Sequence, residues 1–177
     1  MMPQDRLADG WMKKEIRILM LEDITADAAL IRAALRAGGL VFRVKRVETK
    51  QRFLYELAHR PPDLILTDAG LAGFSGFGAL AIAQRKCPDI PFVFVAGTAG
   101  VDVMIDSLRN GAMGYVLKRR LAVNLAPVVR RALNEVRSRR HPGPGRGWLQ
   151  PCRNRTVNPP SAGIGKLNSI GRLRTSA

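Results

Sequence analysis

Three apolar runs in this chain each end in charge. Asp68 closes Asp63-Leu-Ile-Leu-Thr-Asp68, the pair Glu22-Asp23 follows Ile16-Arg-Ile-Leu-Met-Leu21, and Lys118 closes Gly114-Tyr-Val-Leu-Lys118. In a parallel α/β sheet the carboxyl ends of the strands lie along one edge, and ligands bind there. Three carboxylates and one ammonium gathered at that edge would make a site for a divalent cation and a phosphoryl group. The carboxylates supply hard oxygen ligands, and the ammonium supplies fixed positive charge where negative charge accumulates. Taken singly, each residue has a blander use. An aspartate after a strand commonly serves a turn, and Glu22-Asp23 suits the start of a helix, where negative charge is favoured. Lys118 adjoins Arg119-Arg120 and fits a solvated basic run.

The elements that must position these residues alternate regularly. Strands are predicted at Ile16–Leu21, Val41–Val47, Asp63–Thr67, Pro91–Ala96 and Tyr115–Leu117. Between them lie helical patterns. The first is capped by Thr25 or Asp27, carries Ala29, Leu30, Ala33, Ala34 and Ala37 at helical spacing, and ends at Gly38-Gly39. The second covers Lys50–His59 and is stopped by Pro61-Pro62; the third covers Phe77–Cys87 and the fourth Val101–Asn110. The last is capped by Asn124, holds Pro127 in its first turn, and buries Val128, Val129, Ala132, Leu133 and Val136. Five strands alternating with five helices imply a parallel sheet covered on both faces, and right-handed crossovers make that a three-layer sandwich.

The chain has 177 residues, 46% of them hydrophobic, enough for one domain with a real core. Its net charge of +15 is unevenly spread: residues 136–177 hold nine Lys/Arg and no acid, whereas residues 1–135 hold all 14 acids against 20 Lys/Arg. Beyond Val136 the periodicity collapses into Pro, Gly and like charges, a composition that predicts disorder. The expected organisation is an extension over 1–14, a domain over 15–136 and a basic tail over 137–177. No apolar stretch approaches the roughly 20 residues that span a bilayer, and Met1–Glu15 has no signal-peptide core. A cytoplasmic protein without a membrane partner is expected. Cys87 and Cys152 lack a CxxC or histidine context and read as idle thiols.

With the strand-end charges placed, the chain resembles the response-regulator receiver domains of two-component signalling. The resemblance covers about residues 15–136. It rests on Glu22-Asp23 after the first strand, Asp68 after the third, Leu71 with Ser75-Gly76 in the following loop, and Tyr115 with Lys118 on the fifth. It implies a flavodoxin-like (βα)5 sandwich with strand order 2-1-3-4-5. It further implies that Asp68 is the phosphoacceptor, charged by a histidine kinase or phosphotransfer protein, and that Lys118 stabilises the phosphoryl group. Mg2+ is the implied cofactor, bound by Asp23, Asp68 and the carbonyl of Gly70, with Glu22 a step further from the ion. Tyr115 would be the aromatic switch, and a downstream protein would bind the surface of the last helices and fifth strand.

Two positions depart from the pattern. Ala96 stands at the end of the fourth strand, where the family carries a Ser or Thr whose hydroxyl bonds the phosphoryl group; Thr98 is the nearest substitute. Ala72 replaces a loop proline, a loss of stiffness on the order of 1 kcal/mol or less. Phosphoryl chemistry is expected to survive and its coupling to Tyr115 to weaken. Two alternatives remain at this point: a phosphorylation-independent binding module, or nucleic-acid binding through the basic tail. The tail has one Trp, no Tyr or Phe and no zinc spacing, so no nucleic-acid partner is expected. Catalytic turnover on external substrates is not expected either. Gly163-Ile-Gly-Lys166 has Pro160 where a P-loop needs its first glycine and Leu167 where it needs Ser/Thr. Gly70 also stands where aspartyl-nucleophile phosphatases place a second acid.

Overall fold

The computed structural model describes residues 15–71, 73–97 and 100–140. Five parallel strands form one sheet in the order β2-β1-β3-β4-β5: β1 Ile16–Leu21, β2 Phe42–Val47, β3 Leu64–Asp68, β4 Phe92–Ala96 and β5 Gly114–Leu117. The connecting helices are α1 Thr25–Ala37, α2 Lys50–His59, α3 Gly76–Lys86, α4 Val101–Arg109 and α5 Leu121–Arg140. This is the flavodoxin-like sandwich expected from the alternation.

Side chains alternate across each strand and so supply two cores. Ile18 and Met20 of β1, Leu64 and Leu66 of β3, and Val93 and Val95 of β4 pack under α1 and α5, against Ile31, Leu35, Val129 and Leu133. Leu19, Leu21, Ile65, Phe92 and Phe94 face the other way, against Phe53 and Leu57 of α2 and Leu80 and Ala83 of α3. Central strands buried on both faces read as continuous apolar runs, which is why β3 and β4 are buried throughout. The edge strand β2 instead carries Arg43, Lys45 and Arg46, charges that discourage pairing with a further chain.

Four local expectations are corrected. Asp68 is the last residue of β3 and pairs in register with Val95, so the strand holds it rather than a loop. Neither Thr25 nor Asp27 caps α1. The cap residue is Ile24, whose amide donates to Glu22 Oε1 at 3.0 Å, while Thr25 Oγ1 accepts from Arg46. Asn124 caps nothing, because a 3₁₀ turn over Lys118–Arg120 leads straight into α5. Pro127 therefore lies inside the helix, where it lacks the amide that would otherwise donate to the carbonyl of Val123. The helix also continues past Val136, the expected end of the domain, to Arg140. Arg139 pairs with Glu135 one turn back at 2.5 Å, and three arginines in the last turn complement the helix dipole. The expected tail beyond Arg140, Ala72 and Thr98 lie outside the described residues.

Candidate functional site

At the carboxyl edge of the sheet, β1, β3 and β5 deliver Glu22, Asp68 and Lys118 to one place. Asp68 is 7% exposed. Its Oδ1 accepts the Gly70 amide at 3.0 Å, and its Oδ2 lies 2.8 Å from Lys118 Nζ. Glu22 is wholly buried, with Oε1 held by the Ile24 amide and Oε2 lying 3.1 Å from Lys118 Nζ. That last approach is an ion pair but is out of line for a hydrogen bond, so Glu22 Oε2 is buried without a hydrogen-bond partner among the described residues. A third carboxylate, Asp27 in the first turn of α1, completes the group through a hydrogen-bonded ion pair with Lys118.

The electrostatics follow from crowding. Burial raises the Glu22 pKa, and the Asp68 charge adds to it; the Ile24 amide and Lys118 oppose the shift. Burial alone would lower Lys118. The hydrogen bonds to Asp27 and Asp68 and the ion pair with Glu22 outweigh it and hold the ammonium well above the ordinary lysine value. Lys118 is therefore a permanent cation among three carboxylates.

The expected residues separate into two groups. Glu22, Asp68 and Lys118 converge. Asp23 does not: it is exposed and makes no hydrogen bond or ion pair among the described residues. Gly70 is present through its amide on Asp68. Tyr115 lies beside Phe94, ring centroids 6.4 Å apart, with its hydroxyl buried and unbonded among the described residues. Burial and the Asp68 charge raise its pKa. Ala96 is buried opposite Leu117, and its methyl group offers no hydrogen bond to an anion at Asp68. Asp27 was readable only as a cap. A signal existed, since a helix following a strand opens at the same sheet edge as that strand's last residue, so its first-turn side chains share the site.

One oxygen from each of Glu22, Asp27 and Asp68 lies within 4.8 Å of the others. With the unbonded Glu22 Oε2, this donor set fits a hard divalent cation such as Mg2+.

Comparisons with known proteins place the chain by family and fold. The profile of the response regulator receiver domain matches residues 18–130. The luminescence regulatory protein LuxO of Vibrio campbellii is 30% identical over 128 residues, covering 70% of this chain and 28% of that protein. The nitrogen assimilation regulatory protein NtrX of Azorhizobium caulinodans is 30% identical over 125 residues, covering 70% and 27%. The chain thus spans little more than a quarter of these relatives. Among solved structures, a CheY-like receiver domain protein from Methanospirillum hungatei superposes with a TM-score of 0.61 at 24% identity, over 71% of this chain and 99% of that one.

Proposed function

Because this chain belongs to the response regulator receiver domain family of two-component signalling, we propose that it takes a phosphoryl group onto Asp68 from a histidine kinase or phosphotransfer protein. The observation that carries this reading is Lys118 Nζ at 2.8 Å from Asp68 Oδ2, inside a cluster of carboxylates at the ligand-binding edge of the sheet. A carboxylate oxygen of Asp68 attacks phosphorus, and the bond from phosphorus to the donor's nitrogen breaks. Both Asp68 oxygens are engaged beforehand, by Gly70 and Lys118. Lys118 follows the charge, leaving Oδ2 for a phosphoryl oxygen and freeing the nucleophile as it does so. Mg2+, held by Asp68 and Glu22 with the Gly70 carbonyl and Asp23 at the rim, would offset the repulsion between the incoming anion and the carboxylates.

Output is proposed to run through protein contact. Val101, Val103, Met104, Ile105 and Leu108 on α4 are all exposed, and among that helix's residues only Ser107 is buried. An apolar helix face in water marks an interaction surface. Among the described residues no helix is long and apolar enough to cross a membrane.

A second reading, a binding module indifferent to phosphorylation, is favoured by one feature. Ala96, at the end of β4, has no hydroxyl to join a phosphoryl group on Asp68 to Tyr115. Intact mass after incubation with a small phosphodonor separates the two. One added phosphoryl group that requires both Mg2+ and Asp68, absent in Asp68→Ala, supports the receiver. No addition under conditions that label an ordinary receiver supports the binding module.

A further inference from the structure

The three carboxylates around Lys118 are not equivalent. Asp68 is the reacting group and is also held by Gly70. Glu22 has Oε1 on the Ile24 amide and leaves Oε2 buried without a hydrogen bond among the described residues, 3.1 Å from Lys118 Nζ. Asp27 has no other duty. It stands in the first turn of α1, a helix with no side-chain cap, and its carboxylate turns to Lys118 instead of to the helix amides. Among the described residues Lys118 is its one partner, 91 positions away in the chain. The charges divide the same way. Lys118 neutralises one of the three carboxylates, and the two charges left match one divalent cation.

We propose that Asp27 is a positioning residue, the dedicated tether that keeps the Lys118 ammonium at the site while Glu22 and Asp68 turn to the cation and the phosphoryl group. This rests on the phosphoacceptor reading of Asp68. Without the tether, an ammonium released by Asp68 has a long flexible stem and open solvent beside it. With it, Lys118 pivots between Asp68 and a phosphoryl oxygen without leaving.

The test reads Lys118 directly. The full chain is treated with an amine-acylating reagent with and without saturating Mg2+, and modification of Lys118 is followed by peptide mass against the exposed Lys50. Expected in the wild type is protection of Lys118 by about tenfold or more, retained when Mg2+ is added, the size typical of coupling between residues of one charged network. Asp27→Asn loses the protection in Mg2+, and Asp27→Glu, which keeps a carboxylate, restores most of it. Circular dichroism checks that each variant is folded; Asp27→Glu keeps the comparison valid if Asp27→Asn is unstable. If Mg2+ exposes Lys118 in the wild type, Asp27 has gone over to the cation and the tether is wrong. If Asp27→Asn stays protected in Mg2+, Glu22 and Asp68 suffice and it is equally wrong. Phosphoryl uptake measured in parallel keeps the two readings apart. Protection without uptake removes the phosphoacceptor and leaves the tether; Mg2+-dependent uptake without the protection pattern removes the tether alone.

Discussion

A methyl group on Gly76 would stand 2.8 Å from the carbonyl oxygen of Asp68 and 2.7 Å from Cε1 of Phe94. The first residue of α3 is thus pressed against the backbone of the phosphoacceptor, and a hydrogen is the largest substituent that fits. The loop from Asp68 returns tightly to start α3, whose cap Ser75 accepts the Gly78 amide at 3.0 Å. Gly76→Ala should cost about 1–3 kcal/mol, the range for overpacking a filled interior, and should slow phosphoryl uptake by shifting Asp68. Gly73, in the same loop, has nothing within 4 Å of its would-be Cβ. Gly73→Ala is expected to change neither quantity appreciably. Thermal unfolding and intact mass on the pair provide the check.

Much of this arrangement was legible in the residues. Apolar runs in β1, β3 and β4 reported burial, and the charges at the ends of β1, β3 and β5 reported the site, because a strand end fixes both the position and the edge of its last side chain. What escaped depended on contacts between elements. Asp27 joins the site through Lys118, 91 positions away in the chain, a contact that local spacing does not show. Asp23, adjacent to Glu22, leaves the cluster because one chain position turns its side chain outward. The start of α5 was misread because Asn124 and Pro127 form a plausible cap and first turn, and the 3₁₀ turn at Lys118–Arg120 carries no such signature.

Glu22 should make metal-free stability fall with pH. Burial raises its folded-state pKa above the ordinary 4.5. A carboxyl raised in this way stabilises the fold while protonated, and the contribution is lost as pH rises through the folded value. Glu22→Gln keeps a neutral side chain throughout. Without Mg2+ the variant is expected to gain on the wild type as pH climbs from 4.5, reaching an advantage of about 1 kcal/mol at pH 7, near the low end of the cost of an unsatisfied buried group. Denaturant melts at a series of pH values test the sign. A wild type that gains on the variant over this interval would falsify the account of the buried oxygen.

Mg2+ should reverse that order. A ligand bound only by the folded state stabilises it by mass action, by about 2.7 kcal/mol at a hundredfold excess over its dissociation constant. The wild-type melting temperature should rise on adding Mg2+ and return with chelator. Glu22→Gln and Asp68→Asn should respond less, each having lost a negative oxygen from the cluster. An equal shift in Asp68→Asn would place the ion elsewhere.

The exposed row on α4 should be energetically idle in the isolated chain. Leu108→Gln and Val101→Gln alter side chains that are 45% and 66% exposed, and should shift stability by no more than about 0.5 kcal/mol. A cost of several kcal/mol in either would show that α4 packs inward, and would remove the surface proposed for a partner.

Restoring a hydroxyl at the end of β4 should restore coupling between Asp68 and Tyr115. Ala96 is buried in register with Leu117, one residue beyond the strand partner of Asp68. Tyr115 has its hydroxyl buried and unbonded among the described residues, and Ala96 offers no hydroxyl to link it to a group on Asp68. A phosphate analogue should therefore leave the Tyr115 ring resonances of the wild type nearly unmoved. In Ala96→Thr the new hydroxyl competes for the space beside Tyr115 until an anion on Asp68 draws it away, so the analogue should now shift those resonances. The gain should correspond to about 1–3 kcal/mol of coupling, the usual size of such links. Tyr55, exposed on α2, is the internal reference in the same spectrum. If the wild-type ring already moves as far as that of Ala96→Thr, the missing hydroxyl has no bearing on the switch.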